Sequence, residues 1–117
     1  MSQNKYMEKA LQLANKAKKI NEIPVGSVVV DSKGEIIASG YNTNIRDKDP
    51  TAHAEINVIR EACILLNSER LNSCDIYVTL EPCIMCAAAI SRAKIKRLYY
   101  GANDLIYGSV NGNINFF

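Results

Sequence analysis

The sequence predicts an α/β protein, in which helices alternate with the strands of a sheet. Three observations carry this prediction. Apolar residues recur at intervals of three and four in residues 4–21, as on one side of an amphipathic helix. Two short runs, Val25–Val30 and Cys74–Leu80, are rich in β-branched and apolar residues, as buried strands are. Helical segments separate the later strands, which favours parallel pairing of those strands.

The first three elements are predicted to be a helix and a hairpin. Most lysines of the helix lie away from its apolar side. That side carries Met7, Ala10, Leu11, Ala14, Ala17 and Ile20. Val25–Val30 and Glu35–Tyr41 flank the turn sequence Asp-Ser-Lys-Gly at residues 31–34, which predicts a hairpin.

The second helix is predicted to run from about His53 to about Leu66. Polar residues 42–51 precede it and end in Pro50-Thr51. Proline disfavours a helix before it, and Thr51 has a side chain that can cap a helix after it. We therefore expect a loop that leads directly into a helix capped by Thr51.

A third helix and a last strand follow. Pro82 lies where proline is favoured, in the first turn of a helix that continues through Ile90. Arg97–Gly101 predicts a short strand, and the residues after it show no clear period. Phe116-Phe117 is apolar, as in a packed segment or a subunit contact.

Length and composition indicate one folded domain. The chain has 117 residues, of which 48% are hydrophobic and 22% charged, which is typical of globular proteins. No apolar stretch is long enough for a membrane span or a signal peptide, so we expect a cytoplasmic protein with no membrane partner. The net charge of +2 permits a polyanionic partner without requiring one.

One histidine and two cysteines form the candidate metal site. His53 is the only histidine, and Cys83 and Cys86 follow it 30 and 33 residues later. Residues three apart on a helix share a face, so both sulfurs can reach one ion. Two thiolates and one imidazole leave the fourth tetrahedral position of zinc to water, as in catalytic sites. Zinc lowers the pKa of that water to about 7, so the sequence predicts one catalytic zinc ion per chain.

Glu55 is the predicted proton carrier. Attack of water on an aromatic carbon requires protons to move onto a ring nitrogen and onto the leaving ammonia. Residues two apart on a regular helix point about 200° apart, so Glu55 and His53 can converge only at an irregular helix start. A cap at Thr51 would place both residues there. The exposed N–H groups of helix starts also favour thiolates.

Each motif alone has a simpler interpretation. A Cys-x-x-Cys pair is often a redox pair or half of a structural zinc site, and a single histidine is often a hydrogen-bonded core residue. Their combination and order favour the metal site. The two remaining cysteines, Cys63 and Cys74, are predicted to pack in the core.

These motifs resemble those of a known family. Thr-Ala-His-Ala-Glu at residues 51–55 and Pro-Cys-Ile-Met-Cys at residues 82–86 are similar to the signature of zinc-dependent nucleoside and nucleobase deaminases. Ile23–Gly26, Asp49–Glu55 and Tyr77–Ala87 look like motifs of the bacterial tRNA-specific adenosine deaminases. The resemblance implies a three-layer α/β/α cytidine-deaminase-like fold, with helices on a mixed central sheet of four to five strands.

The resemblance also implies an activity, the hydrolytic deamination of adenosine to inosine at the wobble position of a tRNA anticodon. His53, Cys83 and Cys86 match the zinc ligands, and Glu55 matches the glutamate that moves a proton from the zinc-activated water to the purine. The positions that match residues beside the bound nucleotide are Val25, Asn42, Ala54 and Asp104. A homodimer that binds an anticodon stem-loop is implied as well.

The chain departs from the family at its C-terminus. Family members usually continue with another strand and with helices that help to bind tRNA. Residues 1–117 are therefore predicted to form one zinc-dependent deaminase domain that is C-terminally short relative to the family. Two other functions stay open, namely a small-molecule deaminase of guanine, cytosine or a nucleoside, and a zinc-binding subunit without activity. Turnover of a free base but not of tRNA would favour the first of these.

Overall fold

The computed structural model describes the backbone of residues 2–111 and the side chains of residues 5–111. Its elements are α1 (Ser2–Lys19), β1 (Gly26–Val30), β2 (Ile36–Tyr41), α2 (Asn44–Asp47), α3 (Ala54–Leu66), β3 (Asp75–Leu80), α4 (Ile84–Arg92) and β4 (Arg97–Ala102). The seven predicted elements are confirmed, and the single-turn helix α2 was not predicted. The predicted contact of Phe116-Phe117 lies outside the described residues. No helix within residues 2–111 combines the length and apolar character needed to cross a membrane.

The four strands form one mixed sheet in the order β2-β1-β3-β4. β1 pairs antiparallel with both of its neighbours, with Ser27 opposite Gly40 on one side and Val78 on the other. β3 and β4 pair in parallel across the α4 connection, as predicted. β2 and β3, which α3 connects, run in the same direction but do not pair, because β1 lies between them.

Helices cover both faces of the sheet. On one face, α1 packs through Tyr6 and Leu13 against Val28 and Tyr77, in a cluster that also contains Val30. On the other face, α3 and α4 pack against the strands through a cluster of Val29, Ala38, Val58, Ala62, Leu71, Cys74, Ile76, Ile90 and Ala93. Since successive strand residues point to opposite faces, a strand covered on both sides is apolar throughout. The predicted three-layer α/β/α fold is confirmed.

The helix starts differ from the prediction. Thr51 does not cap α3, because its N–H and hydroxyl both donate to Asp49 Oδ1, at 2.9 and 2.7 Å. The N-cap of α3 is His53, and the N-cap of α4 is Cys83, so Pro82 lies one residue before the cap of α4 and not inside its first turn. The carbonyl of Pro82 accepts the N–H of Ser109, which holds it outside the helix.

Gly26 allows α1 to approach the sheet. A Cβ at this position would lie 2.0 Å from the carbonyl oxygen of Ala10 and 2.7 Å from the nitrogen of Ala14, which are backbone atoms that cannot turn aside. We expect Gly26→Ala to lower the free energy of unfolding by about 3 kcal/mol or more, the upper part of the range for an overpacked core. Urea denaturation measures this change.

The control for this change is Gly40→Ala. A Cβ at Gly40 would meet the Cγ1 of Val58 at 3.3 Å, a side-chain atom that can shift by a few tenths of an ångström. We therefore expect a smaller loss at this position. Equal losses in the two variants would contradict the close approach of α1 as the cause.

Candidate active site

The starts of α3 and α4 bring the three candidate metal ligands together. His53 Nδ1 lies 3.7 Å from Cys83 Sγ and 3.5 Å from Cys86 Sγ. The three ligand atoms all lie within 4.8 Å of one another. His53 and Cys83 have an extended backbone as the two N-caps, and Cys86 is the third residue of α4. Both sulfurs therefore face the imidazole from one helix turn, as predicted.

These distances fit zinc. With Zn–S bonds of about 2.3 Å and Zn–N bonds of about 2.0 Å, a tetrahedral ion keeps a sulfur and a nitrogen ligand about 3.5 Å apart. The two sulfur–nitrogen distances, 3.7 and 3.5 Å, are close to that value. Within the described part of the chain, no other group of three histidine, cysteine or acidic side chains meets in this way. The donor set of one imidazole and two thiols also suits zinc.

The charges at the site favour a thiolate. The pKa of Cys83 falls to about 4, because the thiol of Cys86 donates a hydrogen bond to it and His53 adds a second favourable contact. The same hydrogen bond, together with burial, holds the pKa of Cys86 far above its ordinary value. The pKa of His53 rises because it hydrogen-bonds Cys83. Cys83 is therefore the more readily ionised of the two cysteines.

Glu55 lies beside this cluster. Its side chain is only 4% exposed, and burial raises its pKa to about 7, with a smaller contribution from the charge of Cys83. A carboxyl group with a pKa near neutrality can both accept and release a proton. Glu55 is the second residue of α3 while His53 is its extended N-cap, so the predicted irregular start lets the two side chains converge.

A cavity of about 280 Å³ adjoins the cluster. It is lined by Ile23, Val25, Asn42, His53, Glu55, Leu80, Glu81, Cys83, Asp104 and Tyr107. Its volume lies just below the roughly 300–1,000 Å³ that is usual for ligand sites. The combination of apolar walls and a few convergent polar groups suits one small heterocyclic group.

Three of the four predicted substrate-contacting residues line this cavity, namely Val25, Asn42 and Asp104. The Oδ1 of Asn42 accepts the N–H of Ala54 at 2.7 Å, so Asn42 also holds the start of α3. Ala54 itself is fully buried behind the wall and packs in one cluster with Val25 and Val78. Its predicted contact with substrate stays a prediction.

Asp104 also has a structural role. Its Oδ1 accepts the N–H groups of Ile106 and Tyr107, at 3.1 and 3.0 Å, and so shapes the turn that follows β4. Only one carboxylate oxygen takes part in these two bonds. The other is the oxygen that we expect to serve a ligand.

Four lining residues carried no predicted role, namely Ile23, Leu80, Glu81 and Tyr107. The first three are close in sequence to Val25 or Cys83, and that proximity is a signal that could have identified them. Tyr107 lies in the aperiodic segment after β4, where the sequence offers no comparable signal. The other two cysteines pack as predicted, since Cys74 belongs to the core cluster under α3 and Cys63 packs against it.

Known proteins share both the fold and this site. Residues 1–102 match the family model described as the cytidine and deoxycytidylate deaminase zinc-binding region. The chain belongs to this family. It is therefore a zinc-dependent deaminase, and zinc is its cofactor, with a histidine and two cysteines positioned to hold the ion. The resemblance inferred from the motifs is confirmed.

Individual deaminases allow a finer comparison. The tRNA-specific adenosine deaminase of Rickettsia felis is 50% identical over 112 residues, which cover 95% of this chain and 78% of the relative. A solved structure from a study of A-to-I editing by tRNA:A34 deaminases at the wobble position superimposes with a TM-score of 0.97 and 50% identity, over 100% of this chain and 89% of that one. The guanine deaminase of Bacillus subtilis superimposes with a TM-score of 0.84 and 38% identity, over 88% of this chain and 66% of that one.

Proposed function

We propose that this deaminase converts adenosine to inosine at the wobble position of a tRNA anticodon. One observation carries the proposal: the whole chain superimposes on a tRNA:A34 deaminase with a TM-score of 0.97 and 50% identity. The similarity to the guanine deaminase is weaker in score, identity and coverage. Of these two proteins, the tRNA:A34 deaminase is the more similar to this chain in all three respects.

The shape of the pocket supports an RNA substrate. The cavity extends from the buried Glu55 to Ile23 and Tyr107, whose side chains are 63% and 69% exposed. A nucleotide turned out of its stack can place its base in such a pocket while the ribose and the neighbouring phosphates stay outside. An open mouth permits this arrangement for a polynucleotide.

The chemistry divides between the metal and the protein. Zinc, when bound by His53, Cys83 and Cys86, supplies a Lewis acid that makes water nucleophilic at neutral pH. Glu55 takes a proton from the attacking water and delivers it to N1 of the purine. The oxygen adds to C6, and Glu55 then moves a second proton to the amino group, which leaves as ammonia. The products are inosine and ammonia.

The lining residues would hold the base for this step. Val25 offers an apolar wall against the ring, and Asn42 and Asp104 offer polar atoms for its edge. Ala54 would contribute by linking two side chains of the site, because its N–H donates to the Oδ1 of Asn42 and it directly precedes Glu55 in the chain. The roles of these four residues are proposals that rest on the motif resemblance and on their position at or behind the cavity wall.

The same proposal includes partners. An anticodon stem-loop is the expected RNA ligand, and a tRNA substrate agrees with the cytoplasmic location that the sequence predicts.

We also infer a homodimer, which light scattering can measure. The exposure of Leu105, Ile106 and Tyr107, at 77%, 65% and 69%, offers apolar surface for it. The assignment of residues 1–117 to a single deaminase domain stays a prediction.

The proposed substrate can be tested directly. The zinc-loaded protein is incubated with an anticodon stem-loop that carries adenosine at the wobble position, and inosine is measured by mass spectrometry. We expect conversion of that one adenosine. A matched stem-loop with its only loop adenosine outside the wobble position should remain unchanged.

The alternative is a small-molecule deaminase, which the similarity to the guanine deaminase of Bacillus subtilis favours. Free guanine, cytosine, cytidine and adenosine are assayed in parallel by ammonia release. Turnover of a free base or nucleoside without turnover of the stem-loop would overturn the proposed function. No turnover of any substrate by the zinc-loaded protein would instead indicate a zinc-binding subunit without activity.

A further inference from the structure

One wall of the pocket has no regular secondary structure. We call residues 103–111, which follow β4, the wall segment. It contributes Asp104 and Tyr107 to the cavity lining. A segment without a helix or strand ladder depends on other partners for its backbone N–H groups. The positions of both lining residues therefore depend on what holds this segment.

A single buried carboxylate binds the wall segment at both ends. Glu81 is 3% exposed. Its Oε1 accepts the N–H of Asp104 at 3.0 Å, at the start of the segment. Its Oε2 accepts the N–H groups of Val110, at 2.8 Å, and of Asn111, at the end. A buried carboxylate is costly without such donors, so the carboxylate and the segment stabilise each other.

The middle of the wall segment also lies against Glu81. A Cβ at Gly108 would lie 2.4 Å from the Cδ of Glu81 and 2.4 Å from the carbonyl oxygen of Asp104. Gly108 bridges to Cys83, and the N–H and hydroxyl of Ser109 both donate to the carbonyl of Pro82, at 3.0 and 2.8 Å. The stretch from Glu81 to Cys83 thus joins the wall segment to the zinc site.

We propose that Glu81 is a positioning residue for the substrate, because its carboxylate holds the wall segment, and with it Asp104 and Tyr107, in register with the zinc site. The proposal rests on the proposed function and deepens it. Glu81 acts through the backbone of the wall segment and not on the reacting atoms. Its contribution is therefore to substrate binding, and metal binding is left to His53, Cys83 and Cys86.

The geometry requires both carboxylate oxygens. Glutamine has nearly the same shape as glutamate, but its amide nitrogen donates and does not accept. Whichever way the amide is oriented, one end of the wall segment loses its acceptor. Loss of one hydrogen bond to a charged group is enough to weaken binding about tenfold. Glu81→Gln should therefore raise KM for the stem-loop by about tenfold or more.

The experiment compares Glu81→Gln with Glu69→Gln, a matched change at an exposed glutamate that is absent from the cavity lining. We measure zinc content, KM and kcat on the stem-loop, and amide hydrogen exchange. For Glu81→Gln we expect a full complement of zinc, a raised KM, a kcat within about threefold of the original, and faster exchange confined to residues 104–111. Glu69→Gln should match the original protein in all four.

Gly108→Ala provides a second route to the same result. Its Cβ would push the wall segment away from Glu81 while the carboxylate stays intact. The proposal expects it to raise KM and to speed exchange over the same residues. This variant decides the question if Glu81→Gln does not fold.

Three results would overturn the proposal: loss of zinc, a fall in kcat with unchanged KM, or unchanged exchange over residues 104–111. Failure of the proposed function can be told apart from these. If the original protein deaminates a free base and not RNA, KM for that base replaces the stem-loop value. Zinc content and hydrogen exchange then test Glu81 as before.

Discussion

Replacing Glu55 by glutamine should leave zinc bound and lower kcat for inosine formation by about 10²–10⁴-fold, the usual contribution of a general acid–base group. Glutamine keeps the size of the side chain but cannot accept and release a proton. Glu55 lies in the cavity beside His53 and Cys83, and it is nearly fully buried. Because solvent water barely reaches this position, it cannot readily replace Glu55 as the proton carrier.

The measurement combines kcat on the wobble-adenosine stem-loop with zinc content. Glu61→Gln is the matched control, since Glu61 lies on the same helix but is exposed and far along it from the N-cap. Its Oε1 accepts the N–H of Ser39 at 3.0 Å, and the carbonyl oxygen of glutamine can do the same. Unchanged kcat in Glu55→Gln would exclude the proposed role. Loss of zinc together with activity would make Glu55 part of the metal site instead.

Replacing Cys86 by serine should abolish tight zinc binding and, with it, the activity. Cys86 is fully buried, and its Sγ lies 3.5 Å from His53 Nδ1. An exposed side chain elsewhere on the surface therefore cannot reach the metal to replace this sulfur as a ligand. Loss of a hydrogen-bond partner of a metal ligand lowers metal affinity roughly 10–100-fold, and removal of a ligand itself should lower it further. The stability provided by bound zinc should be lost as well, and this amounts to about 2.7 kcal/mol at 100 times Kd.

Metal analysis after dialysis measures the zinc content, and thermal unfolding with and without added zinc measures the stabilisation. Cys63→Ser is the control, because Cys63 is a partly buried thiol that packs against the core and takes no part in the metal cluster. It should keep its zinc and its zinc-dependent stabilisation. A Cys86→Ser protein with one zinc ion per chain would show that the ligand set is different.

The sequence predicts most of the fold because its helix and strand signals are local. The apolar spacing of α1 and the β-branched runs of β1 and β3 depend on residues within one element, and these elements are confirmed. The short α2 escaped prediction because one turn of helix carries no periodic signal. Its N-terminal N–H groups are held from outside, since Glu22 accepts those of Ile45 and Arg46, at 3.2 and 2.8 Å.

The candidate site divides in the same way. Cys83 and Cys86 are joined by one helix turn, so their shared direction follows from spacing alone. Thr51 was a wrong choice of cap because its hydroxyl binds Asp49, a local contact that competes with helix capping. The contribution of Glu81 needs contacts 23 to 30 residues away, and no sequence period reports such contacts.

The sequence by itself determined the order of the elements, the zinc-ligand chemistry of one histidine and two cysteines, and the resemblance to the deaminase family. These depend on residue type and short spacing. Only the tertiary structure decided that β1 separates β2 from β3 and that His53 Nδ1 lies 3.7 Å from Cys83 Sγ. It also decided that residues 103–111 form a wall of the pocket. All three features depend on contacts between segments that are distant in the sequence. Local signals permit several arrangements of the strands and loops, and the need to bury both faces of the sheet and the carboxylate of Glu81 favours one of them.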